Sequence, residues 1–151
     1  MMEVRIKKLH PNAVIPTYAK DGDAGMDLTA VTKSYDRDGN IVYGTGLAFE
    51  IPKGYVGLVF PRSSISNLDI TMSNCVGVID SGYRGEVTAK FKPAMLFNRE
   101  QRPIILNNRI YNIGERIAQL VIIPYPQITF VEADELSETE RGAGGYGSSG
   151  K

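Results

Sequence analysis

Tryptophan is absent from the 151 residues, and cysteine and histidine occur once each, as Cys75 and His10. A single cysteine cannot close a disulfide within the chain, so the fold needs no oxidising compartment. One cysteine and one histidine also fall short of the ligand set of a zinc site. Ser-His-Asp chemistry would have to rest on His10, beside Pro11 near the N-terminus, so any general base is expected to be a carboxylate. The opening MMEVRIKKL lacks the apolar stretch of a signal peptide, and no apolar run reaches membrane-spanning length. These gaps set a cytoplasmic expectation, with no membrane partner. Excess charge is missing too: 17 Lys and Arg balance 17 Asp and Glu. Such a chain is not built to coat nucleic acid or an anionic surface.

What is present points to β-structure. Hydrophobic residues make up 42%, enough to bury a core, while 16 glycines and 8 prolines speak for many turns rather than a helical bundle. Short apolar or alternating runs recur at residues 4–9, 31–35, 41–43, 47–51, 55–60, 68–72, 75–79, 86–91, 104–106, 109–113, 117–123 and 128–131. Turn residues at 36–40 and 52–54 predict two hairpins. No window carries a sustained 3.6-residue apolar period, and residues 62–67 have room for one helical turn at most. The expected fold is all-β, a sandwich, jelly roll or barrel.

Five polar stretches carry the chemistry, and each has a plain structural reading beside it. In DAGMDLTA, Asp27 either holds a hydrated cation or caps a loop. In PRSSIS, Arg62, Ser63 and Ser64 at a helical start form an anion site or an N-cap. In VGVIDSGYRGEV, Ser81-Gly82 is read as a two-residue hairpin loop that sets Asp80 beside Tyr83; the carboxylate is either a site residue or a turn-former. Gln119, in the apolar strand RIAQLVI, needs a partner in ligand or backbone. RGAGGYGSSG is a Gly/Ser linker, or an arm whose amides, hydroxyls and Arg141 grip phosphate while Tyr146 covers a flat ring.

Taken in order, DAGMDLTA, PRSSIS, NCVGVIDSGYRGEV, RIAQLVI and RGAGGYGSSG resemble the five ordered motifs of the trimeric dUTP diphosphatases (dUTPases), and they span residues 23–150. The resemblance implies a jelly-roll-like β-barrel over residues 1–140. A flexible Gly-rich arm over 141–151 would close on an active site. It also implies a homotrimer with shared sites, dUTP as the small-molecule substrate and Mg²⁺ as the cofactor. Position by position, Asp80 would activate water for attack on the α-phosphorus, yielding dUMP and pyrophosphate, and Tyr83 would lie against the deoxyribose. Asn74 and the backbone of Val76 and Gly77 would read the uracil edge. Arg62, Ser63, Ser64 and Gln119 would hold phosphates in a neighbour's site. Arg141, Gly144, Gly147, Ser148 and Ser149 would clamp the phosphate chain, with Tyr146 stacked over uracil. Asp27 would meet Mg²⁺ through water.

The chemistry implied is coherent. An ionised aspartate is a weak base whose value lies in aiming water, and cationic and N–H donors offset charge moving onto pyrophosphate. A ribose 2′-OH buried against the Tyr83 ring would lack a partner, at a cost of roughly 1–3 kcal/mol, so UTP should be rejected. Ser64 stands where many relatives have glycine, Met26 where an aromatic is frequent, and Tyr146 where phenylalanine is usual. Residues 92–114 exceed compact relatives in length and are expected to form an extended hairpin or a species-specific surface. Two rival readings remain: a dCTP deaminase of the same fold, which needs a glutamate where this chain has Lys90, and a nucleotide-sensing regulatory protein.

Overall fold

The computed structural model describes residues 2–94, 96–97, 103–104 and 109–145. Twelve strands and one 3-10 turn follow in order: β1 Arg5–Lys8, β2 Met26–Thr29, β3 Thr32–Tyr35, β4 Ile41–Gly44, β5 Leu47–Glu50, β6 Tyr55–Pro61, the turn Ser63–Asn67, β7 Ile70–Met72, β8 Gly77–Ile79, β9 Thr88–Pro93, β10 Leu96–Phe97, β11 Pro103–Ile104 and β12 Arg116–Pro124. Two four-stranded antiparallel sheets, in the orders β2-β12-β6-β8 and β3-β4-β9-β7, build the jelly-roll-like body. The pairs β1-β5 and β10-β11 complete it.

Alternation decides which face goes inward. In β9, Ala89 and Phe91 are buried while Thr88, Lys90 and Lys92 are exposed, as a strand packed on one side requires. Across the ladder, Ile41 pairs with Phe91 and Tyr43 with Ala89, so the inward residues of β4 and β9 meet in one layer. Leu28, Val59, Ile117, Ala118 and Leu120 supply the facing layer. Tyr43, Phe91 and Tyr111 pack edge to face at centroid separations of 5.7–6.2 Å. Burial pushes the Tyr43 hydroxyl up to about 12.

The hairpin expected at 36–40 forms between β3 and β4. Gly39 takes the left-handed backbone (φ +77) the turn requires, and the Asp36 carboxylate accepts N–H groups from Asp38 and Asn40 at 3.0 and 2.9 Å. Its other oxygen meets Lys90 Nζ at 2.9 Å. The Lys90 ammonium first, then the Asn40 amide, hold Asp36 far below the usual carboxylate range.

Other expectations change. The turn at 52–54 is made, with Tyr55 N–H donating to the Pro52 carbonyl at 3.1 Å. Yet β5 pairs with β1 and β6 with β12 and β8, so this turn passes the chain between sheets and is not a hairpin. Residues 109–113 form no strand: Asp69 takes the Arg109 N–H on its carboxylate and donates its own N–H to the Arg109 carbonyl, leaving no ladder to extend. Residues 128–131 also lack strand structure, and Phe130 and Val131 are 90% and 85% exposed. Among the described residues the last strand ends at Pro124; residues 125–140 are exposed, and Tyr125 N–H donates to the Gly54 carbonyl at 3.0 Å. Met26–Thr29, not among the expected strands, is a strand paired with β12. The extended hairpin expected in 92–114 is represented by β10 and β11, paired Leu96 with Ile104. No helix among the described residues is long and apolar enough to cross a membrane.

Candidate active site

Two groups of polar residues occupy different corners of the β2-β12-β6-β8 sheet. The first gathers where β6 ends. Pro61 is its last residue, Arg62 is extended (φ −80, ψ 153), and the 3-10 turn begins at Ser63. Arg62 Nε donates to Asp27 Oδ1 at 2.7 Å, and its Nη1 reaches Ser64 Oγ at 3.3 Å and the Arg116 carbonyl at 3.4 Å. Arg116 Nη1 donates to Asp27 Oδ2 at 3.1 Å. Gln119, paired in register with Asp27 on one side and Phe60 on the other, is half-buried beside them. Its Oε1 lies so near Gly25 that a Cβ there would stand 3.1 Å away. A cavity of about 360 Å³ is lined by Asp23, Gly25, Asp27, Arg62, Ser63 and Gln119, among others.

Asp27 was expected to meet Mg²⁺ through water. Both its oxygens accept guanidinium N–H groups, because β2 sets the carboxylate level with Gln119 and within reach of both arginines. Among the described residues, no group of three His, Cys, Asp or Glu side chains converges as a metal cage would require. The donor set does not fit an ion bound directly to several protein ligands.

The second group surrounds β8, the edge strand, whose outer N–H and C=O groups are unpaired within its sheet. Cys75 adopts the left-handed region (φ 59), so the chain turns sharply between Asn74 and Val76. Gly77 is buried against Val59, with the Asn74 amide nearby. After Ile79 comes the expected tight turn: Tyr83 N–H donates to the Asp80 carbonyl at 3.0 Å. It is not a hairpin, since β8 joins β6 and the following strand β9 joins β4 and β7. Asp80 and Tyr83 still share the turn, and both are exposed. Tyr83 folds over Gly85, where a Cβ would meet the Tyr83 hydroxyl oxygen at 2.5 Å, and that hydroxyl donates to the Glu86 carbonyl at 3.0 Å. Arg84 Nη1 donates to the carbonyls of Ser81 and Tyr83 at 2.7 and 2.9 Å.

Comparison with known proteins decides what such a chain is. The sequence profile of the dUTPase family matches residues 11–150. The chain belongs to the dUTPase family. A deoxyuridine 5'-triphosphate nucleotidohydrolase of Nautilia profundicola is 42% identical over 152 residues, covering 99% of this chain and 100% of the relative. A dUTPase of Staphylococcus bacteriophage 80alpha, solved with dUpNHpp, superposes with a TM-score of 0.78 at 32% identity over 100% of both chains. A mutant dUTPase from phage phi11 of S. aureus, whose structure addresses the coordination of a structural Mg(II) ion, gives a TM-score of 0.69 at 27% identity, covering 89% of this chain and 98% of that one.

In this dUTPase chain the residues expected to act together do not all meet. Arg62, Ser63, Ser64, Asp27 and Gln119 form one cluster; Asn74, Val76, Gly77, Asp80 and Tyr83 form another. Asp80 continues β8 past the Ile79–Gly57 pair, level with Val56, whereas Asp27 is level with Phe60. Four residues along the strands and three strands across correspond to about 13 Å by about 14 Å, or roughly 19 Å between the two α-carbons. Arg141 and Gly144 bond to each other in a turn of the exposed tail, Nε to carbonyl at 3.0 Å. Tyr146, Gly147, Ser148 and Ser149 lie outside the described residues. Arg84 and Arg116 were not singled out from the sequence. Arg116 stood within the RIAQLVI motif, and an arginine opening an otherwise apolar strand is itself a signal that a carboxylate lies beside it.

Proposed function

We propose that this chain hydrolyses dUTP to dUMP and pyrophosphate. The observation that carries this reading is the Asp80–Tyr83 turn at the end of an edge strand, in a chain matched end to end by dUTP-hydrolysing relatives. Asp80 holds a water in line with the α-phosphorus and takes its proton as the water oxygen bonds to phosphorus. The bond from that phosphorus to the bridging oxygen breaks, and pyrophosphate leaves. Unpaired backbone groups of β8 with the Asn74 amide read the uracil edge. The Tyr83 ring, fixed by its bond to Glu86 and by the bare Gly85, packs against C2′ and leaves no partner for a ribose hydroxyl.

Phosphate binding falls to Arg62, Ser63, Ser64 and Gln119, whose N–H and O–H groups offset the charge that accumulates on the leaving group. Since the register puts that cluster roughly 16–20 Å from Asp80 in one chain, the reading places it in the site of a neighbouring copy. The assembly is then a homotrimer with three shared sites. Exposed Ile128, Phe130, Val131 and Leu136, within nine residues of one another on the tail, support such contacts, because apolar surface left in water favours association. The arm from Arg141, with Gly144, Tyr146, Gly147, Ser148 and Ser149, closes over bound nucleotide. Mg²⁺ enters as part of the substrate, carried on triphosphate oxygens. The cytoplasm, where nucleoside triphosphates reside, is the place of action.

The test is pyrophosphate release from dUTP, UTP, dTTP and dCTP, with ammonia followed in parallel. Turnover of dUTP alone is expected; ammonia from dCTP would overturn the reading. Site sharing is checked by co-refolding Asp80→Asn with Arg62→Ala, two inactive variants whose mixture should regain activity only where sites are shared.

A further inference from the structure

Among the described residues Asp27 is the carboxylate bonded to the phosphate-binding cluster, and its partners are cationic. Arg62 Nε and Nη2 face its two oxygens at 2.7 and 3.5 Å, and Arg116 Nη1 meets Oδ2 at 3.1 Å. A guanidinium presents five N–H donors along rigid edges, so a carboxylate on the Nε edge fixes the plane and direction of the rest. The Arg62 and Asp27 side chains are only 22% and 24% exposed, which places the pair in a less screened setting than a surface ion pair. Without Asp27, two like charges would face each other across the space its carboxylate now fills.

The remaining contacts of Arg62 are weaker. Nη1 reaches Ser64 Oγ at 3.3 Å and the Arg116 carbonyl at 3.4 Å, long distances for such bonds. Phosphate oxygens would make shorter, charge-assisted bonds in their place. The Nε bond to Asp27, short and charge-assisted already, would stay. Asp23, the other carboxylate lining the cavity, is tied to the Lys20 N–H at 2.8 Å.

We propose that Asp27 is a positioning residue for Arg62 and Arg116, aiming a pair of guanidinium groups at the triphosphate, rather than a ligand of a metal ion. The inference rests on the reading of Arg62 as a phosphate binder. It makes Arg116 a functional part of the site and gives Asp27 the same task whether or not the nucleotide carries a cation.

The experiment measures binding of dUpNHpp and of inorganic pyrophosphate to the full-length protein by calorimetry, once in excess EDTA and once in Mg²⁺. Wild type, Asp27→Ala, Asp27→Asn and Arg116→Gln are compared, with thermal melts confirming the fold. Asp27→Ala is expected to lose about tenfold in affinity in both media. Asp27→Asn, which keeps an acceptor for Nε, should lose less, and Arg116→Gln should weaken binding in both media too. A loss confined to Mg²⁺ would overturn the proposal by showing that the carboxylate serves the cation. Tighter binding of metal-free pyrophosphate to Asp27→Ala would overturn it by showing that Asp27 only competes for Arg62. Should Asp27→Ala fail to fold, the Asp27→Asn and Arg116→Gln series decides between the same outcomes. Wild-type protein that binds dUpNHpp in neither medium would remove the underlying reading of the site itself, a result distinct from all of these.

Discussion

The Tyr43 hydroxyl donates to the backbone carbonyl of Tyr111 at 2.7 Å, inside the core and 68 residues away in sequence. This bond, with the edge-to-face packing of Tyr43, Phe91 and Tyr111, anchors the segment that leads into β12 against β4 and β9. Tyr43→Phe keeps the ring and strands the carbonyl, at a cost of about 1–3 kcal/mol. The melting midpoint should fall by several degrees, with activity per folded molecule unchanged. An unaltered midpoint would mean that the carbonyl finds another donor.

Asp36 gives the fold an acid-sensitive clasp. Its carboxyl is held far below the usual range by Lys90 and then Asn40, so the stabilisation is present above the unfolded-state value and is lost as pH falls below it, toward the folded-state value. The gap in melting midpoint between wild type and Asp36→Asn should be widest near neutrality and should narrow on acidification below about pH 4. A gap that widens in acid would contradict this sign.

Replacing Asp80 by Asn removes the proton acceptor and keeps the shape. Affinity for dUpNHpp should stay within a few-fold of wild type while kcat falls by about a hundredfold or more. Near-normal turnover would take the base assignment away from Asp80.

Gly85 has its own test, because the Tyr83 ring lies where its Cβ would be, 2.5 Å from the hydroxyl oxygen. Gly85→Ala must shift that ring off the position assigned to the sugar. The kcat/KM ratio of dUTP to UTP should drop by about tenfold or more, with a smaller change in affinity for dUMP. A preserved ratio would place sugar discrimination elsewhere.

Deleting residues 141–151 removes the glycine-rich arm and none of the twelve strands. The shortened protein should melt and sediment as the full chain does, with most dUTP turnover lost. Full activity would return the arm to the status of a linker.

Much of the fold was legible because β9 carries its burial in its alternation and β4 and β12 in apolar runs, and DRDGN at 36–40 carries its own turn. The turns at 52–54 and 80–83 were equally legible as turns, but their flanking strands were not. Local residues specify that a chain reverses, whereas the sheet it joins afterwards is set by packing across the core. Asp80 and Tyr83 could therefore be placed together from sequence, yet the distance from Asp80 to Arg62 could not, because it depends on β6 running between them. The neighbours of Asp27 were not legible, because only the pairing of β2 with β12 brings it to Arg116. Residues 128–131 look like a strand and form none among the described residues.

That tail has a practical consequence. Phe130 and Leu136, almost wholly open to solvent, make a solitary copy adhesive, so newly released molecules will stick to one another, rightly or wrongly, before they meet nucleotide. Yield in overproduction should then depend on temperature and on the pace of synthesis more than on the robustness of the β-body.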